Sequence, residues 1–225
     1  MAEVIELDQI KDDPAQVEAA VEQVVAALRN SQIIVAAIEH SYVYACDAFD
    51  RDAVLRLHTL RGDDFGVAAQ VMIGNVQTLE GIAQDVSEDI STLVARFWPG
   101  LLTLNVQPHS GLNWDLGDAQ VLGEFAVRIP NRDFFRRVLQ KSGPLAVSSA
   151  ALAGRPPMLS IGGIAALYSD IGIYIDEGTL ASGPASTVIR HKVIGMDGGL
   201  EVSREGAISL AELQEVLPSI TSSTE

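Results

Sequence analysis

Cysteine is nearly absent: Cys46 stands alone in 225 residues. One thiol excludes an internal disulfide framework and any cysteine-rich zinc site, and it suits a reducing compartment. Positive charge is also scarce, with 15 Lys and Arg against 30 Asp and Glu and a formal net charge of −15. A surface so acidic repels polyanions, which argues against direct nucleic-acid binding and confines any nucleotide site to a local pocket. No apolar run reaches the roughly 18 residues that would suggest a bilayer span. The N-terminus MAEVIELDQIKDDPAQ is acidic where an export signal would be basic and apolar, so a cytoplasmic protein without membrane association is expected. The histidines His40, His58, His109 and His191 are scattered with no i, i+4 pair, so neither a histidine metal centre nor a tightly bound cofactor is expected. The sequences G-x-x-x-x-G-K-[ST], G-x-G-x-x-G and G-x-S-x-G are missing too, which removes the common phosphate cradles and the nucleophile elbow.

What is present is a chain 48% hydrophobic, enough for one sizeable core. Asp13 and Pro14 form a cap and first-turn pair, after which Val17, Val21, Val24, Val25 and Leu28 repeat at helical spacing. QIIVAAI (32–38) follows as a continuous apolar run, the pattern of a central strand covered on both faces. Further strands are expected at 67–73, in LLTLNVQ, and at 124–129, 144–149 and 171–175. Between them helices are expected from Asp52 to Leu60 ending at Gly62, after Ser87, and from an Asn131 cap to about Lys141. Residues 108–123 read as a long polar loop. VIRHKVIG and GLEVSREG flank Met196-Asp197-Gly198-Gly199, a hairpin signal, and Ser209–Leu217 closes as a helix. With no repeat and no linker, the expected architecture is one α/β domain (13–218) with a twisted mixed sheet and surrounding helices. Residues 1–12 are assigned to an N-terminal extension and 219–225 to a disordered tail.

Four strand-end segments carry polar or small groups: Glu39-His40-Ser41, Arg61-Gly62-Asp63-Asp64, Ser148-Ser149-Ala150-Ala151 and Ser182 to Thr187. Taken singly, each is more often an ordinary turn than a site. Glu39 and His40 are a weak acid/base pair, since neighbours on an extended strand point to opposite faces. Asp63 and Asp64 could attract Mg²⁺, but adjacent carboxylates after a helix-ending glycine are usually a solvated loop.

The order of these segments resembles the YrdC-type threonylcarbamoyl-AMP synthases. That family carries P-T-D-T-V-Y-G and a short Asp-containing segment, then K-x-R, W-P-G-x-x-T, R-x-P, S-A-N-x-S-G, P-S-T and R-x-G. Here DAFD (47–50), Trp98-Pro99-Gly100-Leu101-Leu102-Thr103, Arg128-Ile129-Pro130, Ser149-Ala150, Gly154, Ser186-Thr187 and Arg204-Glu205-Gly206 follow in that order, from about Val21 to Leu217. FWPG, NWDLGD and GPLAVSSA look most like actinobacterial members. The resemblance implies a YrdC-like domain with a concave pocket. It also implies an enzyme that joins L-threonine, bicarbonate and ATP, with magnesium, into threonylcarbamoyl-AMP for tRNA modification. By resemblance, Arg61, Ser149 and Arg204 belong to the nucleotide side, and Tyr42, Arg128 and Ser186 to the threonine side.

Departures fall on the same motifs. Ile38 and His40 stand where the family has two threonines, and Val43 stands for its glycine. Ala151 replaces the asparagine of S-A-N, and Asp63 replaces the arginine of K-x-R. An anion in place of a cation beside a triphosphate costs roughly 3 kcal/mol per phosphate charge at about 5 Å with an effective dielectric near 20. The expectation is therefore a member with reduced or lost activity, acting as a small-ligand sensor or on a protein partner; the alternative is an active synthase with an atypical pocket.

Overall fold

The computed structural model describes residues 3–64, 66–84, 86–119, 121, 123–164, 171–192 and 199–223. Its first elements are β1 (Glu3–Glu6), α1 (Leu7–Ile10), α2 (Pro14–Arg29), β2 (Ile33–Ala37), β3 (Tyr42–Asp47), α3 (Arg51–Arg61) and β4 (Gln70–Met72). They are followed by α4 (Val76–Ile82), α5 (Glu88–Phe97), β5 (Leu102–Val106), β6 (Phe125–Arg128), α6 (Asp133–Ser142) and β7 (Leu145–Ser149). A single 3₁₀ turn (Ile161–Gly163), β8 (Ile171–Asp176), β9 (Thr187–His191), β10 (Leu200–Arg204), α7 (Leu210–Val216) and β11 (Thr221–Ser222) complete the described chain.

These strands join one mixed sheet in the order β1-β8-β2-β3-β7-β4-β6-β5-β9-β10-β11. β2 lies inside it, parallel to β8 and antiparallel to β3. Its apolar run alternates between two cores, as period-2 side chains must. Ile34 and Ala36 pack with Val21, Val24, Phe135 and Val138 of α2 and α6, whereas Ile33, Val35 and Ala37 pack with Val54, Leu57, Leu79 and Leu93 on the opposite side. Covered faces on both sides explain why β2 has no polar alternation.

Local chemistry sets the helix ends. Asp13 accepts from the N–H groups of Ala15 and Gln16, Asp50 from Ala53, and Ser87 from Ile90. Gly62 ends α3 in the left-handed region at φ 70°. Ser209 and Glu212 form a reciprocal capping box.

Several expectations need correction. Asn131 does not cap α6: Arg132 occupies the cap without a side-chain bond, and the Asn131 N–H instead donates to Glu39 at 2.7 Å. Loop 108–123 is not simply polar, because Trp114 and Leu116 are buried and Trp114 stacks edge-on against Phe125 at 5.2 Å. The stretch assigned to an N-terminal extension contributes to the sheet: Glu3–Glu6 pairs with β8 and buries Ile5. Nor is 219–225 all disordered tail, since Ile220 is fully buried and Thr221–Ser222 pairs with β10. The hairpin signal at 196–199 falls mostly outside the described residues; its flanking strands, β9 and β10, do pair antiparallel.

Candidate functional site

Two cavities meet at Gln70. One, of about 230 Å³, is bordered by Ile38, Glu39, His40, Arg128, Ser186 and Arg204, among others. The second, of about 210 Å³, is bordered by His58, Arg61, Asp63, Gln70, Ser148 and Ser149 with small aliphatic residues. Five of the six residues named for ligand contact border these cavities, but Arg204, expected on the nucleotide side with Arg61 and Ser149, borders the first one beside Arg128 and Ser186.

Arg128 is buried in β6, and its guanidinium is held from two sides. Its Nη1 donates to Glu39 Oε1 at 2.8 Å and to the carbonyl of Gly100 at 3.1 Å. Gly100 is fixed by its own N–H donating to Ile129 at 2.9 Å, which joins the W-P-G turn to R-x-P. Burial pushes the Glu39 carboxyl up, but the Arg128 hydrogen bond and charge and the Asn131 N–H outweigh it, leaving its pKa below the ordinary value. Arg132 braces the same wall, donating to the carbonyls of Ile38 at 3.0 Å and Glu39 at 3.1 Å while pairing with Glu177 at 3.3 Å.

The opposite wall is a chain of hydrogen bonds. Gln70 donates to Thr103 Oγ1 at 3.3 Å, Thr103 donates to Ser186 Oγ at 2.8 Å, and Arg204 donates to the Ser186 carbonyl at 2.9 Å and to its Oγ at 3.3 Å. Thr187, fully buried, accepts from the N–H groups of Gly206 and Ile208 and so seats the loop behind Arg204. Gly206 is required there by close approach: a Cβ would lie 2.3 Å from the Ala185 carbonyl oxygen.

In the second chamber Asp63 is the hub. Its Oδ1 accepts from Arg61 Nε at 2.7 Å, and its Oδ2 faces His58 Nδ1 at 2.8 Å. His58 Nε2 lies 2.8 Å from the Leu116 carbonyl. Asp63 is thus engaged by Arg61 and His58. No group of three or more His, Cys, Asp or Glu residues suited to a metal occurs among the described residues. The Oγ atoms of Ser148 and Ser149 are buried without a partner among the described residues. Ala151 is buried, and Ala153 N–H donates to the Arg61 carbonyl at 2.8 Å, pinning this apolar loop to the end of α3.

Tyr42 does not belong to either wall. Its hydroxyl accepts from the Glu177 N–H at 2.9 Å and donates toward the Gly178 carbonyl at 2.8 Å, with Asp176 at 3.2 Å. Burial, the main cause, pushes its pKa up to about 12. The residue expected on the threonine side is instead a buried tie between β3 and the turn after β8. Ile38 packs against the core between α2 and the sheet, so its loss of a hydroxyl is partly a packing change. His40 places Nδ1 3.1 Å from the Ala181 carbonyl and leans on Gly183, so it does not meet Glu39 as an acid/base partner. Sequence reading missed Gln70 and Arg132. The only signal for Gln70 was a lone amide inside the apolar run VAAQVMI.

A mixed sheet with helices on both faces and a cleft of two adjoining polar chambers defines an α/β protein of the twisted mixed-sheet class. The chain belongs to the Sua5/YciO/YrdC family: that family's model, described as "Telomere recombination", matches residues 26–206. It is 32% identical over 217 residues to a putative threonylcarbamoyl-AMP synthase of Mycobacterium leprae, covering 95% of this chain and 96% of the relative. A protein of the same description from Mycobacterium tuberculosis H37Rv is 31% identical over 207 residues, 91% of this chain and 92% of the relative. Among solved structures, P. abyssi Sua5 complexed with L-threonine superposes with a TM-score of 0.79 at 26% identity. That match covers 90% of this chain and 58% of the Sua5 chain, so the present chain spans less than two thirds of that protein. No helix among the described residues is long and apolar enough to cross a membrane.

Proposed function

We propose that this chain is a threonylcarbamoyl-AMP synthase relative that keeps the chamber for the small substrate, L-threonine, and has lost much of its hold on ATP. In this reading Arg128, Ser186 and Arg204 shape the first chamber, and Arg61 and Ser149 are what remains of a nucleotide side. Formation of threonylcarbamoyl-AMP from ATP with magnesium, L-threonine and bicarbonate is then reduced or absent. The observation that carries this is the Arg61–Asp63 ion pair, in which a carboxylate balances the cation that a triphosphate would need. Burial strengthens the effect, because Asp63 is only 8% exposed and solvent screens it little.

The test supplies purified protein with ATP, magnesium, L-threonine and bicarbonate and follows pyrophosphate release and the adenylate by mass spectrometry. Turnover comparable to that of the mycobacterial relatives would overturn the reading. A second reading, an active synthase with an atypical pocket, is favoured by one observation. Thr103, Ser186 and Arg204 form an intact hydrogen-bonded wall of the first chamber.

A further inference from the structure

The inner wall of the first chamber carries one carboxylate oxygen without a donor among the described residues. Glu39 Oε1 takes two donors, from Arg128 at 2.8 Å and Asn131 at 2.7 Å, whereas Oε2 is buried with no partner among the described residues. The Glu39 side chain is only 10% exposed, and it borders the cavity. A buried carboxylate oxygen without a donor is unfavourable, so Oε2 favours a ligand that supplies an N–H or O–H. The opposite wall has the reverse character, since Arg204 bonds only to Ser186 among the described residues and forms no ion pair there.

We propose that the first chamber selects a zwitterionic ligand by its protonated amino group, taken by Glu39 Oε2, with the ligand's anionic end toward Arg204 and Ser186. This rests on the reading that the chamber holds the small substrate. It changes the part played by Arg128, which becomes a positioning residue that fixes the Glu39 carboxylate. Ionisation of Glu39 at neutral pH agrees with this, as its carboxyl is held below the ordinary range.

The test is calorimetry on the full chain without ATP. L-threonine is compared with 3-hydroxybutanoate, which lacks only the amino group, and with N-acetyl-L-threonine, in which that group is neutral. The expected result is at least tenfold tighter binding of L-threonine than of either analogue. Glu39→Gln should abolish that preference. Arg128→Lys, which keeps a cation beside Glu39, should retain more of it than Arg128→Met. The analogue comparison needs no substitution and stands even if a variant fails to fold. Equal binding of L-threonine and 3-hydroxybutanoate would overturn the proposal. So would failure of L-threonine, L-serine, glycine and ethanolamine alike to bind at millimolar concentration. Because ATP is omitted, this result separates from the turnover assay: vigorous adenylate formation would sink the proposed loss of function and leave amino-group selection intact.

Discussion

Arg61 and Asp63 face each other across 2.7 Å, from Nε to Oδ1, at the mouth of the second chamber. The sequence places these two at the positions of the family's K-x-R cations. Their structural relationship is closer than simple neighbourhood, because the carboxylate accepts from the guanidinium it follows. Asp63→Asn should free Arg61 while keeping the shape of the side chain, and Asp63→Arg should add a second cation. ATP affinity, measured by calorimetry, should rise about tenfold or more in Asp63→Arg and less in Asp63→Asn, given roughly 3 kcal/mol per charge pair before screening. Unchanged affinity in both would mean that this chamber does not receive phosphate.

Tyr42→Phe should destabilise the fold without touching ligand recognition. The substitution leaves the Glu177 N–H without its acceptor and removes the donor to Gly178. Loss of a buried hydrogen bond of this kind costs about 1–3 kcal/mol. Urea denaturation should report that loss, while L-threonine affinity by calorimetry stays within a factor of two. A large affinity change with unaltered stability would return Tyr42 to the ligand wall.

Gly206→Ala tests how Arg204 is held. The added methyl group would meet the Ala185 carbonyl oxygen at 2.3 Å and the Ser186 carbonyl carbon at 2.7 Å, backbone atoms that cannot swing aside. The loop must shift, carrying Ser186 and Arg204 with it. Lower thermal stability of about 1–3 kcal/mol is expected from such overpacking, together with weaker binding of any anionic ligand. Wild-type stability and binding would show that the loop yields freely.

Much of this fold is legible in the sequence because its signals are local. Asp13 with Pro14, Ser209 with Glu212, and Gly62 each mark a helix end within a few residues of the bond they make. The two-sided burial of β2 shows in an uninterrupted apolar run. The missed elements depend on distant partners. Glu3–Glu6 is a strand only because β8, far along the chain, supplies its ladder. β3 is likewise defined by its neighbours, since β2 and β7 pair with it on both sides. The site divides in the same way. The family motifs locate Arg128, Ser186 and Arg204, but Glu39 meets Arg128 across a separation of 89 residues and Tyr42 meets Gly178 across 136. No periodicity or spacing encodes those meetings.

The Glu39–Arg128 pair also fixes a pH dependence. Burial alone would raise the Glu39 pKa, but Arg128 and the Asn131 N–H lower it by more, so the folded value lies below the unfolded one. A carboxyl depressed in this way adds stability above its unfolded pKa and forfeits it as pH falls through the folded value. The loss should therefore appear on the acid side, starting near the ordinary glutamate range of about 4.3 and deepening below it. Glu39→Gln removes this titration and leaves Arg128 buried beside a neutral amide. Melting temperature measured from pH 7 to pH 3 should fall less steeply in the variant than in the parent chain, although the variant starts lower at pH 7. Parallel curves would show that Glu39 titrates alike in the folded and unfolded chains, and the ion pair would then have no hold on its ionisation.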